Sequence, residues 1–189
     1  LRRAGVVERA RASMRELMQS TGETANLGIE HTGQVMFISQ VETPQTIRAF
    51  FPPGTVSPMH ASGIGKALLA QYSDDRMAAF LKAHALTRFT DRTITDPDAL
   101  HRDMDLTRAR GWALDDEEKA AGMRCVAAPI FNIFAEPVAG ISVSGPTHRM
   151  DLARIEEIGA MVREAAAAVS RALGAETGKP PQATDQAAS

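Results

Sequence analysis

The sequence has a single cysteine, Cys125, among its 189 residues. One cysteine excludes an internal disulfide and any metal site built from several cysteines, and it is typical of proteins in the reducing cytosol. The chain also lacks an apolar run approaching the roughly 18 residues that a membrane-spanning helix requires. Its arginine-rich start has no apolar core of the kind found in signal peptides. These absences together predict a cytoplasmic protein.

Net charge is also nearly absent, at −2 from 21 basic and 23 acidic side chains. A chain so close to neutral is not, as a whole, a polyelectrolyte that binds nucleic acid. The charge is nevertheless uneven, because residues 1–20 hold five arginines against two glutamates. Hydrophobic residues (44%) and charged residues (23%) occur at ordinary levels for a globular protein. The length therefore predicts one domain of moderate size with extensions.

The first third of the chain predicts one helix followed by three strands. Apolar residues recur at three- and four-residue spacing over 2–19, which is typical of a helix that packs on a core. Alternating apolar residues predict strands over 25–31 and 35–42, joined as a hairpin. A third strand is predicted over 47–51, ended by the two prolines and the glycine that follow it.

The remaining chain groups its predicted helices between strands, which indicates an α+β fold. Helices are predicted over 63–71, 73–85, 96–110 and 151–173, and strands over 112–114, 125–131 and 138–144. Such an order favours an antiparallel sheet with helices on its faces. Gly63 and Gly65 do not extend to G-x-G-x-x-G, so no dinucleotide cofactor is expected. Residues 175–189 lack periodicity, and we expect them to be mobile.

A glycine-rich turn at residues 57–66 is the first candidate for a ligand site. Pro58 keeps the preceding residue out of the helical region, and Ser62 can cap a helix that begins with Gly63. The backbone N–H groups at such a helix start point outward, and a position without a side chain lets an anion approach them. The alternative is that Gly63 and Gly65 only allow close packing against a neighbouring strand.

Two serines on one predicted strand are the second candidate. Because side chains alternate along a strand, Ser142 and Ser144 share one face with Gly140, opposite the apolar residues. Cys125 and Ala127 share a face of the preceding strand in the same way. These side chains either form the floor of a small polar pocket or lie on an outer, solvated face. Serine hydroxyls both donate and accept, which suits a carboxylate beside a carbonyl group.

The remaining reactive side chains leave further alternatives open. Cys125 is either a small buried hydrophobe or a nucleophile, but the sequence places no histidine beside it. Asp115 either accepts a hydrogen bond from a hydroxyl or hydrated aldehyde, or belongs to a solvated acidic run. His101 and Asp105 have a spacing compatible with a metal, although a solvated patch is the commoner outcome and no metal is expected. His60 either braces the glycine turn or packs beside it.

Three segments occur in a fixed order and spacing and carry a family resemblance. They read PMHASGIGKALLA at 58–70, GWALDDEE at 111–118 followed by GMRC at 122–125, and AGISVSGP at 139–146. Together they resemble the effector-binding domain of IclR-type bacterial transcription regulators. The resemblance covers about residues 20–174, and the linkage of the three segments makes it specific.

The resemblance implies a GAF-like domain, in which helices flank a central antiparallel sheet and a pocket holds a small metabolite. In the glyoxylate- and pyruvate-sensing members, a glycine-rich helix start, an aspartate, a cysteine and two serines surround the ligand. The matching positions here are Gly63, Ile64, Asp115, Cys125, Ser142 and Ser144, with Met123 and Ala49 as apolar wall residues. For the glycine-rich turn, the resemblance thus favours a ligand site over simple packing. For the two serines, it favours the floor of a pocket over a solvated face.

The resemblance also implies what this domain does and what surrounds it. We expect it to bind a small 2-oxo acid, glyoxylate first and pyruvate second, without turnover and without a cofactor. Residues 1–20 resemble the end of a helix that joins an absent winged helix-turn-helix to the sensor at 21–174, so operator DNA would bind only through the absent part. A homodimer or homotetramer is expected. The competing functions are a hydrolase or transferase using Cys125, and a sensor of an aromatic acid.

Overall fold

The computed structural model describes residues 2–176 as five helices and one six-stranded sheet. The helices are α1 (Arg2–Thr21), α2 (Gly63–Leu69), α3 (Asp74–Ala83), α4 (Pro97–Arg110) and α5 (Ile155–Ala172). The strands are β1 (Thr24–His31), β2 (Gln34–Val41), β3 (Val56–Pro58), β4 (Ala113–Asp116), β5 (Met123–Phe131) and β6 (Pro137–Pro146). None of the described helices combines the length and the hydropathy that crossing a bilayer requires.

The sheet is antiparallel throughout, in the order β3-β2-β1-β6-β5-β4. Hairpins join β1 to β2 and β5 to β6, while β1 and β6 pair at the centre although they are far apart in sequence. This arrangement confirms the predicted α+β class. It also places β6, which carries the segment AGISVSGP at 139–146, at the centre of the sheet.

The two faces of the sheet carry separate apolar cores. On one face, α1 and α5 cover the alternate apolar residues of the central strands, including Leu27, Val126 and Ile141. On the other face, α2, α3 and α4 pack over a second cluster that includes Phe37, Ile64 and Ala127. Because side chains alternate along each strand, the polar positions of β5 and β6 point to this second face.

Glycines at the sheet surface let α2 approach the backbone closely. Ile64 packs over Gly28 of β1 and Gly140 of β6, where an added Cβ would lie 3.2 Å and 2.7 Å from the Ile64 side chain. A larger residue at position 140 would push the helix away from the sheet. The start of α2 is therefore held directly above the central strands.

The strand predicted over 47–51 is wrong, because these residues form an irregular segment outside the sheet. Val56–Pro58 pairs with β2 in its place. Three prolines, at positions 44, 52 and 53, withhold backbone donors from this segment. Ile47 and Phe50 also point to solvent, so neither side chain anchors this segment against the sheet. The predicted mobile tail, 175–189, lies outside the described residues except for its first two positions.

Candidate functional site

A cavity of about 270 Å³ lies on the α2 side of the sheet. It opens between the start of α2, the ends of β4, β5 and β6, and the segment that precedes β3. Five of the residues assigned to the ligand site by resemblance line it: Gly63, Asp115, Met123, Cys125 and Ser144. Three motifs that are distant in sequence thus meet at one cavity.

The start of α2 is closely fitted to Cys125. The Ser62 hydroxyl accepts a hydrogen bond from the Gly65 N–H at 3.3 Å, so it caps the helix as predicted. A Cβ added to Gly63 would lie 2.6 Å from the Cys125 sulfur, whereas one added to Gly65 would collide with the Met59 backbone. The absence of a side chain at Gly63 therefore lets the start of α2 lie against Cys125 at the cavity. At Gly65 it lets the helix pack against the Met59 backbone.

Strand register aligns the polar residues of the site in two adjacent rows. Thr24, Ser144, Cys125 and Asp115 lie opposite one another across β1, β6, β5 and β4. In the next row, Asn26 of β1 pairs with Ser142 of β6. The Asn26 Nδ2 donates to Ser144 Oγ at 3.4 Å, which links the two rows.

Asn26 is a polar residue of this site that the sequence did not reveal. It is completely buried, and its Oδ1 atom has no hydrogen-bond partner in the described part of the chain. Since Asn26 stands in an apolar run of β1, only its register with Ser142 identifies it. The sequence of β1 alone does not indicate that β6 is the strand beside it.

The Cys125 thiol is neutral at physiological pH. Burial and the nearby negative charge of Asp115 raise its pKa to about 11, and the hydroxyls of Ser144 and Ser142 and the Gly63 N–H offset this only in part. Among the described residues, no histidine lines the cavity. A neutral thiol without an adjacent base is a weak nucleophile.

Asp115 holds its proton far more tightly than an ordinary aspartate. Burial and the neighbouring Glu118 carboxylate raise its pKa to about 7, although the Glu118 backbone N–H donates to Oδ1 at 2.8 Å and favours the charged form. Asp115 is the third residue of β4 rather than part of an acidic loop, because the strand extends to Asp116. Near neutral pH this carboxyl group can donate or accept a hydrogen bond.

A buried lysine holds the acidic turn beside α2. Lys66 is 1% exposed, and its Nζ lies 2.7 Å from Asp103 of α4 and 2.8 Å from Glu118. These carboxylates outweigh the effect of burial and raise the pKa of Lys66. Glu118 in turn accepts a hydrogen bond from the Asp116 N–H. Lys66 thereby fixes the turn that follows Asp115 and so positions Asp115 at the cavity.

Three of the assigned residues do not line the cavity. The Ile64 side chain packs on the sheet, Ser142 is fully buried in the row behind Ser144, and Ala49 is buried outside the cavity wall. Phe51 and Thr55, from the same irregular segment as Ala49, line the cavity instead. The backbone at Ile64 still belongs to the start of α2.

The two candidate histidines differ, because His60 has a structural role whereas His101 is exposed on α4. The His60 ring Nε2 lies 2.8 Å from the Thr87 carbonyl, so His60 braces the loop that follows α3. Asp105 pairs with Arg108 on the surface of α4. Among residues 2–176, no three histidine, cysteine or acidic side chains are grouped so that they could hold a metal ion.

A second, wider groove of about 480 Å³ lies between α1 and α5. Its lining includes the carboxylates Glu16 and Glu164. Two acidic side chains disfavour an anion in that groove. The cavity beneath α2, which carries hydroxyls and backbone N–H groups, is the better candidate for a small acid.

The antiparallel sheet and the polar cavity beneath α2 define the class of this protein as a ligand-binding α+β domain. The family model described as "Bacterial transcriptional regulator IclR C-terminal" matches residues 1–171. The chain therefore belongs to the IclR family and corresponds to its C-terminal, effector-binding domain.

Relatives and solved structures agree with this assignment. The HTH-type transcriptional regulator BhcR of Paracoccus denitrificans is 58% identical over 90% of this chain and 61% of its own length. The transcriptional repressor IclR of Escherichia coli is 42% identical over 85% of this chain and 60% of its own length. The crystal structure of Thermotoga maritima IclR is 33% identical and superposes with a TM-score of 0.85, covering 89% of this chain and 68% of that one.

The chain spans about 60% of the length of these two curated relatives. Both are regulators of transcription rather than enzymes, which confirms the expectation that the domain is not an enzyme. The neutral state of Cys125 agrees with that assignment.

Proposed function

We propose that this domain senses a small 2-oxo acid, glyoxylate first and pyruvate second, and that binding controls the DNA affinity of the intact protein. The observation that carries the proposal is the row formed by Ser144, Cys125 and Asp115, which lies across three strands at the wall of one cavity. Hydroxyls and a neutral thiol can hydrogen-bond a small anion without reacting with it.

The ligand would lie between α2 and the polar rows. The backbone N–H groups at Gly63 and Ile64, with the hydroxyls of Ser142 and Ser144, would satisfy its carboxylate and the adjacent oxygen. Asp115 and Cys125 would line the far side. Lys119 is exposed at the cavity wall and would attract an anion toward the entrance.

The competing ligand class is an aromatic acid. Phe37 and Phe51 line the cavity and stack on each other with ring centroids 4.7 Å apart. These rings supply an apolar wall, but the inner end of the cavity is polar and narrow because Gly63 sits directly against Cys125. A two-carbon acid matches this inner end better than an aromatic ring does.

For the intact protein, we propose that α1 connects the sensor to a DNA-binding domain, as the longer relatives suggest by their names. A ligand that binds two arrangements of the sensor with different affinity shifts the population between them. A homodimer or dimer of dimers would match the two-fold symmetry of an operator. A cytoplasmic location follows from the same proposal.

The test is a thermal-shift series with glyoxylate, pyruvate, glycolate and benzoate. At 100 times its dissociation constant, a ligand stabilises the folded state by about 2.7 kcal/mol, which raises the melting temperature of a domain of this size by roughly 5–10 °C. We expect glyoxylate to give the largest shift at equal concentration. A shift with benzoate alone, or with none of the acids, would refute the ligand assignment.

Ser142→Ala provides the matched variant. Loss of a buried hydroxyl that faces the ligand should weaken glyoxylate binding by about 1–3 kcal/mol, measured by calorimetry. The control is Ser39→Ala, since Ser39 is a buried serine that pairs with Leu27 and so faces the opposite core. Equal affinity in Ser142→Ala and Ser39→Ala would remove Ser142 from the site.

A further inference from the structure

Asn26, which lies opposite Ser142, is the strongest feature of the site that the assigned ligand roles do not explain. Both residues are 0% exposed, and they lie directly opposite each other on the two central strands. Asn26 Oδ1 and Ser142 Oγ have no hydrogen-bond partner among the described residues. A buried polar atom without a partner costs about 1–3 kcal/mol, so two such atoms on residues paired across neighbouring strands point to a polar group that binds near them.

The pair is connected to the cavity rather than isolated in the core. Asn26 Nδ2 donates to Ser144 Oγ at 3.4 Å, and Ser144 lines the cavity. With Nδ2 engaged in that contact, the acceptor Oδ1 is the atom of the amide that is left unpaired. A ligand bound at Ser144 therefore lies beside the row of the sheet that contains the unpaired acceptor, Asn26 Oδ1.

The chemistry of the unpaired atoms selects among forms of the ligand. A serine hydroxyl can donate or accept, but an amide oxygen can only accept. The keto form of a 2-oxo acid carries acceptors alone, so it would leave Asn26 Oδ1 unpaired. The hydrated form, a gem-diol, carries two hydroxyl donors beside its carboxylate. Glyoxylate is largely hydrated in water, whereas pyruvate is largely the ketone.

We propose that Asn26 is a ligand-contacting residue of this site and that, with Ser142, it selects the gem-diol form of the 2-oxo acid. This inference rests on the proposed function, because it names the chemical form of the same ligand. Hydration takes place in solution before binding, so no bond is made or broken in the site. One gem-diol hydroxyl donates to Asn26 Oδ1, and the other oxygen accepts from Ser142.

The direct test is carbon-13 NMR of glyoxylate labelled at its second carbon and bound to the wild-type domain. We expect the bound resonance in the region of a tetrahedral gem-diol carbon, with the isotope shift of two exchangeable oxygens in water enriched in oxygen-18. A bound resonance in the carbonyl region would overturn the inference. A tetrahedral resonance with the isotope shift of a single oxygen would also overturn it, because it would report addition of the Cys125 thiol to the aldehyde.

The second test uses Asn26→Leu, which keeps the size of the side chain and removes its acceptor. Glyoxylate affinity should fall at least tenfold, while pyruvate affinity should change less. The control is Thr107→Val on α4, which removes another buried and unpartnered oxygen away from the cavity and should leave both affinities unchanged. An Asn26→Leu domain that folds and binds glyoxylate as the wild type does would overturn the inference. Failure of the proposed function gives a different result from failure of this inference, because the wild-type domain would then bind neither glyoxylate nor pyruvate.

Discussion

Asp115 is a cavity residue whose charge state responds to pH near neutrality. Its pKa of about 7 in the folded protein is well above the ordinary value of 3.8, because the carboxyl group is buried beside Glu118. The folded state therefore keeps a proton that the unfolded chain releases near pH 4. Since the native state binds more protons in this interval, Asp115 lowers the free energy of unfolding as pH rises from about 4 to 7.

Asp115→Asn should remove this contribution. The amide oxygen can still accept from the Glu118 N–H, but the side chain no longer titrates. We expect the variant to match the wild type near pH 4 and to be the more stable of the two above pH 7. Urea denaturation at a series of pH values measures the difference. Parallel profiles for the two proteins would contradict the pKa assignment.

Gly63 tests the fit between α2 and β5. An added methyl group would lie 2.6 Å from the Cys125 sulfur, so Gly63→Ala should destabilise the domain by about 1–3 kcal/mol. Cys125→Ala removes the sulfur and should recover part of this loss, since the next nearest atoms lie at 3.3 Å. A double-mutant cycle by chemical denaturation gives the coupling free energy. Additive effects would show that the two residues do not constrain each other.

At the scale of elements, Lys66 joins α2 to α4 and to the turn after β4. A buried cation between two carboxylates is costly to disrupt, because removing it leaves buried negative charge without compensation. Lys66→Met should therefore destabilise the domain by about 3–5 kcal/mol. The double variant that combines Lys66→Met with Glu118→Gln should be more stable than Lys66→Met alone. A urea midpoint that is lower for the double variant than for Lys66→Met would contradict a direct ion pair between Lys66 and Glu118.

The elements also show which structural features are readable from local sequence. The caps of α2, α3 and α4 follow from Ser62, Ser73 and Asp96, because each side chain accepts from a backbone N–H three residues on. The strand predicted over 47–51 is wrong because a short apolar run indicates a strand only when its side chains are buried, and Ile47 and Phe50 are exposed. Neighbouring β2 takes residues 56–58 as its partner instead.

At the scale of the whole molecule, one buried ion pair connects the end of α1 to the segment beside the cavity. Arg149 Nε lies 2.6 Å from Glu23, which is 1% exposed, and Arg149 also donates to the Ile47 carbonyl. Glu23 stands between α1 and β1, while Ile47 belongs to the segment that contributes Phe51 to the cavity wall. This contact offers a physical connection between the site and α1.

Arg149→Met should destabilise the domain by about 3–5 kcal/mol, because Glu23 would remain buried and unpaired. The matched control is Arg48→Met, since Arg48 and Glu42 form an ion pair with both side chains 37% exposed. An exposed pair contributes about 0–1 kcal/mol. Equal changes in the urea midpoints of the two variants would contradict the role assigned to Glu23 and Arg149.

The fold class, the caps, most strands and five of the residues that line the cavity are readable from the linear sequence. These features depend on periodicity, on local hydrogen bonds or on contiguous motifs, all of which a linear sequence carries. Three further contacts become visible in the folded chain: Asn26 lies opposite Ser142, Lys66 pairs with Glu118, and Phe51 rather than Ala49 lines the cavity. Such contacts are set by strand register and by burial between distant segments, because pairing across a sheet is not encoded by the spacing within either strand.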